Sequence, residues 1–269
     1  MAETFTTKSS LRDYGVERRV ALLQDALVAY RMLRKRGVGQ LLLHARCVAL
    51  NRLHNRLVDR ELHNLLPRRV SGEAVVDGLK LRTSADHEAR EATPYAPVPS
   101  KTLAWALEGI GHDLRDYHFV DIGSGRGFAV VLAAKYSFAR ITGIEFAREL
   151  HEDACANLVW ARANGLIEAS LVELRHESAL NTQFPVGPSL FFLYNPFGDS
   201  VMRAFLDRLD ASVQTDPRPV IVVYANPKQR ALFVRPGVHE VPLAPREKWL
   251  IRLFSPFAVR VYAWDAPQR

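Results

Sequence analysis

Apolar positions near the start of the chain recur at helical spacing. Val16, Val20, Leu23, Leu27 and Tyr30 fall three or four apart and form one stripe of an amphipathic helix, with Arg18, Arg19 and Arg31 largely off it. Gly37 and Gly39 are expected to interrupt this helix, because each glycine costs a helix interior about 1 kcal/mol. A second helix follows, with Leu43, Cys47, Leu50, Leu53 and Leu57 on its buried side. Between Pro67 and Pro99 the pattern loosens around Ser71-Gly72, Asp77-Gly78, Pro94 and Pro97, which predicts a connector with a short strand over 74–81.

Beyond a helix over 101–109 the alternation becomes regular. Short apolar runs at 117–122, 141–144, 169–174, 190–194 and 220–224 read as strands, and the stretches 127–136, 148–163 and 199–213 between them as helices. Continuously apolar strands separated by helices imply a parallel sheet covered on both faces. Two last apolar runs, 249–254 and 257–264, are separated only by Ser255-Pro256. That link is too short for a parallel crossover, so the pair is expected to be antiparallel strands. The predicted organisation is a basic helical extension and connector over 1–92 and an α/β domain over 93–269.

Composition narrows the class of protein. A hydrophobic share of 48% beside 24% charged residues fits a folded globular chain. No apolar run approaches the roughly 18 residues of a membrane helix, and the polar residues 1–10 lack a signal core, so a cytoplasmic protein is expected. Cys47 and Cys155 alone support neither a disulfide framework nor a zinc site, and the nine histidines form no His-x-x-x-His pair, so no metal is expected. Charge is unevenly placed: residues 11–70 hold thirteen Lys or Arg against five Asp or Glu, and the remainder is near neutral. Such an excess suits an anionic partner, and equally a solvated helix face.

The chemistry concentrates after the first strand, where Phe119-Val120-Asp121-Ile122 runs into Gly123-Ser124-Gly125-Arg126-Gly127. Glycines at a strand-to-helix turn let a ligand approach the backbone, and the following helix start offers free N–H groups. The next strand ends at Glu145, an acid about 20 positions on and suited to ribose hydroxyls. Phe128 stands where a dinucleotide fingerprint requires its third glycine, and no Gly-Lys-Ser or Gly-Lys-Thr follows, so neither that fingerprint nor a Walker A loop is present. Ser124 is not in a Gly-x-Ser-x-Gly elbow.

These segments resemble class I S-adenosylmethionine-dependent methyltransferases. Asp121-x-Gly123-x-Gly125-x-Gly127 is similar to their first motif, Gly143-Ile144-Glu145-Phe146 to their second, and Tyr194-Asn195-Pro196-Phe197 to the motif closing their fourth strand. With Tyr95-x-Pro97-x-Pro99, the set resembles a bacterial group of poorly defined substrate, and more loosely the non-SET histone lysine methyltransferases. The resemblance covers roughly 93–224 and implies a Rossmann-like seven-stranded sheet, parallel except for an antiparallel C-terminal strand, preceded here by the helical extension.

It further implies S-adenosylmethionine as cofactor. Gly123, Ser124, Gly125 and Gly127 would flank its methionine half, Asp121 would support the amino group, Glu145 would hold the ribose, Phe146 would lie against the adenine, and Tyr95 would fold over it as part of a lid. Where such enzymes often carry Asp-Ala after the third strand, this chain reads His176-Glu177-Ser178-Ala179, so Ser178 replaces the acid or Glu177 turns in.

Methyl transfer from a sulfonium is an in-line displacement in which positioning dominates. Asn195, Pro196 and Phe197 are the candidates for the reacting end: the Asn195 amide oxygen and Pro196 carbonyl to receive an amine, and Phe197 to pack on a flat or cationic acceptor. Their sequence resembles the Asn-Pro-Pro-Tyr loop of amino-methylating enzymes without its second proline. The acceptor, a protein or a small molecule, is open between nitrogen, oxygen and carbon. The alternative is a non-catalytic module that binds nucleic acid or protein through its basic N-terminal helices.

Overall fold

A computed structural model describes residues 95–167 and 171–265 continuously, together with 91–93, Leu66 and scattered helical positions between 38 and 57. The chain divides into two compact units, Met1–Arg52 and Leu53–Arg269. The first expected helix, the strand over 74–81 and Cys47 lie outside the described residues. Val38 and Gly39 are themselves helical, so the expected interruption does not fall on them. Of the leucines assigned to a buried face, Leu53 and Leu57 are 53% and 51% exposed.

The second unit is built on one sheet. In chain order its elements are α1 (Ser100–Gly109), β1 (His118–Ile122), α2 (Phe128–Ala133), β2 (Arg140–Glu145), α3 (Arg148–Ala163), β3 (Val172–His176), β4 (Ser189–Tyr194), α4 (Asp199–Thr215), β5 (Val220–Ala225), a 3-10 turn (Arg230–Phe233), β6 (Val238–Glu240), α5 (Pro245–Phe254) and β7 (Val259–Trp264). The seven strands lie in the order β3-β2-β1-β4-β5-β7-β6. β1 to β5 pair in parallel, and β7 runs antiparallel to both β5 and β6.

Alternate residues of each strand feed two cores, as the pleat requires. Phe119, Ile141, Phe192 and Val223 pack with α1 and α2 on one face, and Leu66 joins them from the segment before the expected domain boundary. On the other face Val120, Phe191, Val222 and Tyr224 meet the stripe Val201, Met202, Phe205, Leu206 and Leu209 of α4. Phe205 has no exposed surface and touches the rings of Phe184, Phe191 and Phe197. Phe205→Ala is therefore expected to cost about 3–5 kcal/mol, read as a lower urea midpoint with unchanged slope.

The run 249–254 is a correction. It is the end of helix α5, not a strand. Pro245 sits in the first turn, where its missing N–H costs nothing, and Ser255 before Pro256 is extended and ends the helix. The apolar run misled because Glu247 and Ile251 supply the buried side, while Trp249, Leu253 and Phe254 are exposed. The antiparallel partners of β7 come from β5 and from the three-residue β6.

Candidate functional site

The strand order reverses between β1 and β4, the position at which open α/β sheets bind ligands beyond the carboxyl ends of their strands. The Gly-rich turn leaves β1 there, and Asn195-Pro196-Phe197 follows β4 beside it. Gly125 and Gly127 have φ of +53° and +78°, in the left-handed region where a side chain is strained. The turn is pinned by Gly123 and Ser124 N–H donating to the Ile144 carbonyl, both at 2.9 Å.

Two loops rest directly on this turn. A Cβ at Gly125 would lie 2.1 Å from Tyr95 Cε2, and a Cβ at Gly123 would lie 2.9 Å from Pro196 Cβ. The absent side chains thus leave room for the Tyr95 ring and for Pro196. The Arg126 guanidinium lies 5.6 Å from the Tyr95 ring centre and pairs with Asp153 at 3.0 Å.

Glu145, at the end of β2, is 4% exposed. Its Oε2 accepts from Gly125 N–H and its Oε1 from Ala147 N–H, both at 2.8 Å. Burial pushes its carboxyl up to about 6 despite these donors. Asp121 is 3% exposed, makes no side-chain hydrogen bond or ion pair among the described residues, and is pushed up to about 8 by burial and then by the charge of Glu145. Burial likewise raises the Tyr95 phenol, against the pull of Arg126.

Both acids hold their protons to higher pH in the folded chain than in the unfolded one. The folded state therefore binds more protons between about pH 4 and pH 8, and its stability falls as pH rises through that window. Thermal melts should show a midpoint lower at pH 8 than at pH 5, with a flatter slope in Asp121→Asn; equal slopes would contradict the burial of Asp121.

Asn195 is 2% exposed with a left-handed φ of 43°, a strain that asparagine tolerates and that gathers at functional sites. Its Nδ2 donates to Thr93 Oγ1 at 3.4 Å, and its Oδ1 is buried without a partner. The Pro196 carbonyl, expected to receive an amine, accepts Thr93 N–H at 3.0 Å. Phe197, expected to pack on an acceptor, is 7% exposed and leans on Phe205, with ring centres 6.1 Å apart.

Phe146, Ile144, Glu177, Ala179, Pro196 and Phe197 line a small cavity of ≈ 30 Å³. Of the two residues weighed for the adenine side, Glu177 lines this cavity and also accepts from Thr182 Oγ1 at 2.7 Å. The Ser178 hydroxyl accepts from Leu180 N–H at 3.0 Å and so serves the local turn. Ser124 turns its hydroxyl toward β2, 3.0 Å from where a Cβ of Gly143 would lie, and makes no hydrogen bond with it. The sequence reading missed Glu91 and Thr93, which meet this site from more than 100 positions away with no local signal. Among the described residues no group of His, Cys, Asp or Glu is placed to hold a metal ion, and no helix is long and apolar enough to cross a membrane.

A seven-stranded sheet in this order with only β7 reversed, carrying a Gly-rich turn after β1 and an acid at the end of β2, is the Rossmann-like fold of class I methyltransferases. Among solved structures the chain is similar to an RNA methyltransferase from Salinibacter ruber in complex with S-adenosyl-L-homocysteine, at 22% identity over 65% of this chain and 95% of that one, with a TM-score of 0.39. It is also similar to the mitomycin 7-O-methyltransferase MmcR, at 16% identity over 61% of this chain and 54% of that one, with a TM-score of 0.42. A predicted N6-adenine-specific DNA methylase from Listeria monocytogenes is 14% identical over 73% of this chain and 56% of its own, with a TM-score of 0.42. No family model matches the chain, and no curated protein matches it.

Proposed function

We propose that this chain is an S-adenosylmethionine-dependent methyltransferase. One observation carries the reading. Among the described residues four side-chain N or O atoms are buried without a partner, and three of them, on Tyr95, Ser124 and Asn195, lie at the Gly-rich turn and the adjoining end of β4, beside the buried carboxyl of Asp121. Buried polar groups are nearly always paired, so such a cluster suits a polar ligand. Acids burdened by burial favour a cation, and S-adenosylmethionine carries both an ammonium and a sulfonium.

The residues fit that cofactor. Asp121 takes the ammonium. The Gly123 to Gly127 backbone would accommodate the methionine half once the Tyr95 ring, which lies on Gly125, moves aside. Glu145, held by two N–H donors, keeps further lone pairs for ribose hydroxyls. Phe146 and Glu177 face the adenine from the cavity rim. When bound, the cofactor supplies an electrophilic methyl group.

This chain's own contribution is to aim the acceptor, and Asn195 Oδ1 is the group for it. A buried acceptor without a donor suits the N–H of an amine, whose lone pair it leaves free for the methyl carbon. An amine of a protein or small molecule is the proposed acceptor. The chain incubated with methyl-labelled cofactor and fractionated lysate should transfer label in a form that survives mild base. Label lost as methanol would mean a carboxyl ester and would overturn the amine assignment.

A further inference from the structure

We propose that a cavity on the sheet near the amino ends of β1 and β2, away from the Gly-rich turn, is a second binding site, and that it takes a flat, largely apolar organic anion through Arg140.

The cavity exists because a layer is missing. Parallel sheets are ordinarily covered by helices on both faces. Between β3 and β4 no helix intervenes, and residues 177–188 are turn and loop. α4 covers this face over β4 and β5. Over β1 to β3 the strands and that loop border a cavity of ≈ 490 Å³, within the range of small-molecule sites. The pairing register sets His118 beside Arg140, Val120 beside Thr142 and Ile144 beside Arg175, and all six line the cavity. Strand positions that pack under a helix are apolar, yet four of these six are polar.

The polar groups are mostly donors. His118 Nε2 and Thr142 Oγ1 share a hydrogen bond at 2.7 Å. Arg175 gives Nε and Nη2 to Glu173 at 2.8 Å and 3.0 Å and keeps further N–H donors. Arg140 is exposed and makes no hydrogen bond or ion pair among the described residues. Burial, then the charge of Arg140 and that of Arg175, push His118 down to about 4 against a smaller opposite pull from Glu173. His118 is therefore a neutral ring at pH 7, and the arginines outweigh Glu173 where it stands. Asp116 is the one carboxylate in the lining, and it is offset by the charge of Arg115.

A cavity rich in donors and positive in potential suits an acceptor-rich anion, and a carboxylate can take two parallel N–H bonds from Arg140. The walls suit a ring. Phe184, Phe191 and Pro188 supply apolar surface, and Phe184 is held edge-on to Phe191 at 5.4 Å and by the Arg208 guanidinium at 5.0 Å. Ile144 also lines the small cavity beside Phe146, so this site and the cofactor's adenine side share one wall residue.

The test is equilibrium dialysis of 2-naphthoate, and of its neutral analogue 2-naphthamide, against the full chain and Arg140→Ala. Arg140 is exposed, so the variant should keep the wild-type urea midpoint. One saturable naphthoate site is expected in wild type, weaker by about tenfold or more in Arg140→Ala, with 2-naphthamide bound equally by both proteins and naphthoate retained when S-adenosylhomocysteine is added. No saturable binding of naphthoate up to millimolar concentration, or equal naphthoate affinity in the two proteins, would overturn the site. Displacement of naphthoate by S-adenosylhomocysteine would place it on the Gly-rich turn and overturn the site as well, while leaving the cofactor reading intact.

Discussion

Gly125→Arg is expected to abolish cofactor binding, with affinity for S-adenosylhomocysteine falling by at least about 100-fold, or about 2.8 kcal/mol. Two effects act together. The residue's φ of +53° costs a side-chain-bearing residue about 1–2 kcal/mol. Its Cβ would also lie 2.1 Å from the Tyr95 ring, so the ring or the turn must move. Either movement disturbs the N–H that Gly125 donates to Glu145 at 2.8 Å, and the arginine then stands over the backbone a ligand needs. Calorimetric titration against urea unfolding separates the two costs. Wild-type affinity in the folded variant would place the ligand elsewhere.

Glu145→Ala is expected to damage stability as well as binding. Removing the carboxylate leaves Gly125 N–H and Ala147 N–H without their acceptor in a buried place, at about 1–3 kcal/mol each. Part of that is offset, because the buried carboxyl is itself costly when ionised, as its rise to about 6 shows. A net loss of about 2–4 kcal/mol in folding is expected, with a further loss of about 1–3 kcal/mol in cofactor affinity from the missing bonds to hydroxyls. Glu145→Gln retains one oxygen acceptor and should fall between alanine and wild type in urea melts. Equal stability of all three would mean that the two N–H groups find other partners.

The parts of the fold that the sequence reading anticipated are those where one periodicity wins. β5 is buried along its whole length, and α4 carries its apolar residues on one stripe, so each has only one reading. α5 defeated the same logic, because three of its five apolar residues, Trp249, Leu253 and Phe254, face outward and a helix so exposed looks like a strand in sequence. β6 has three residues and no period to detect. At the site, Gly125 and Glu145 were legible because they follow strands at fixed offsets. What those groups touch was not. The Pro196 carbonyl and the Phe197 ring, assigned to an acceptor from their place after the fourth strand and from their likeness to the Asn-Pro-Pro-Tyr loop, also meet Thr93 and Phe205. Glu91 at the start of α4 is a long-range contact that no local pattern encodes.

Titration calorimetry with S-adenosylmethionine at pH 6 and pH 8 tests the proposed function most directly. A cationic ligand should bind at both and more tightly at pH 8, releasing protons, since it favours the ionised forms of Asp121 and Glu145 that burial opposes. A folded protein that gives no binding heat at either pH, or binds with an affinity indifferent to pH, would contradict a cofactor seated on these two carboxyls.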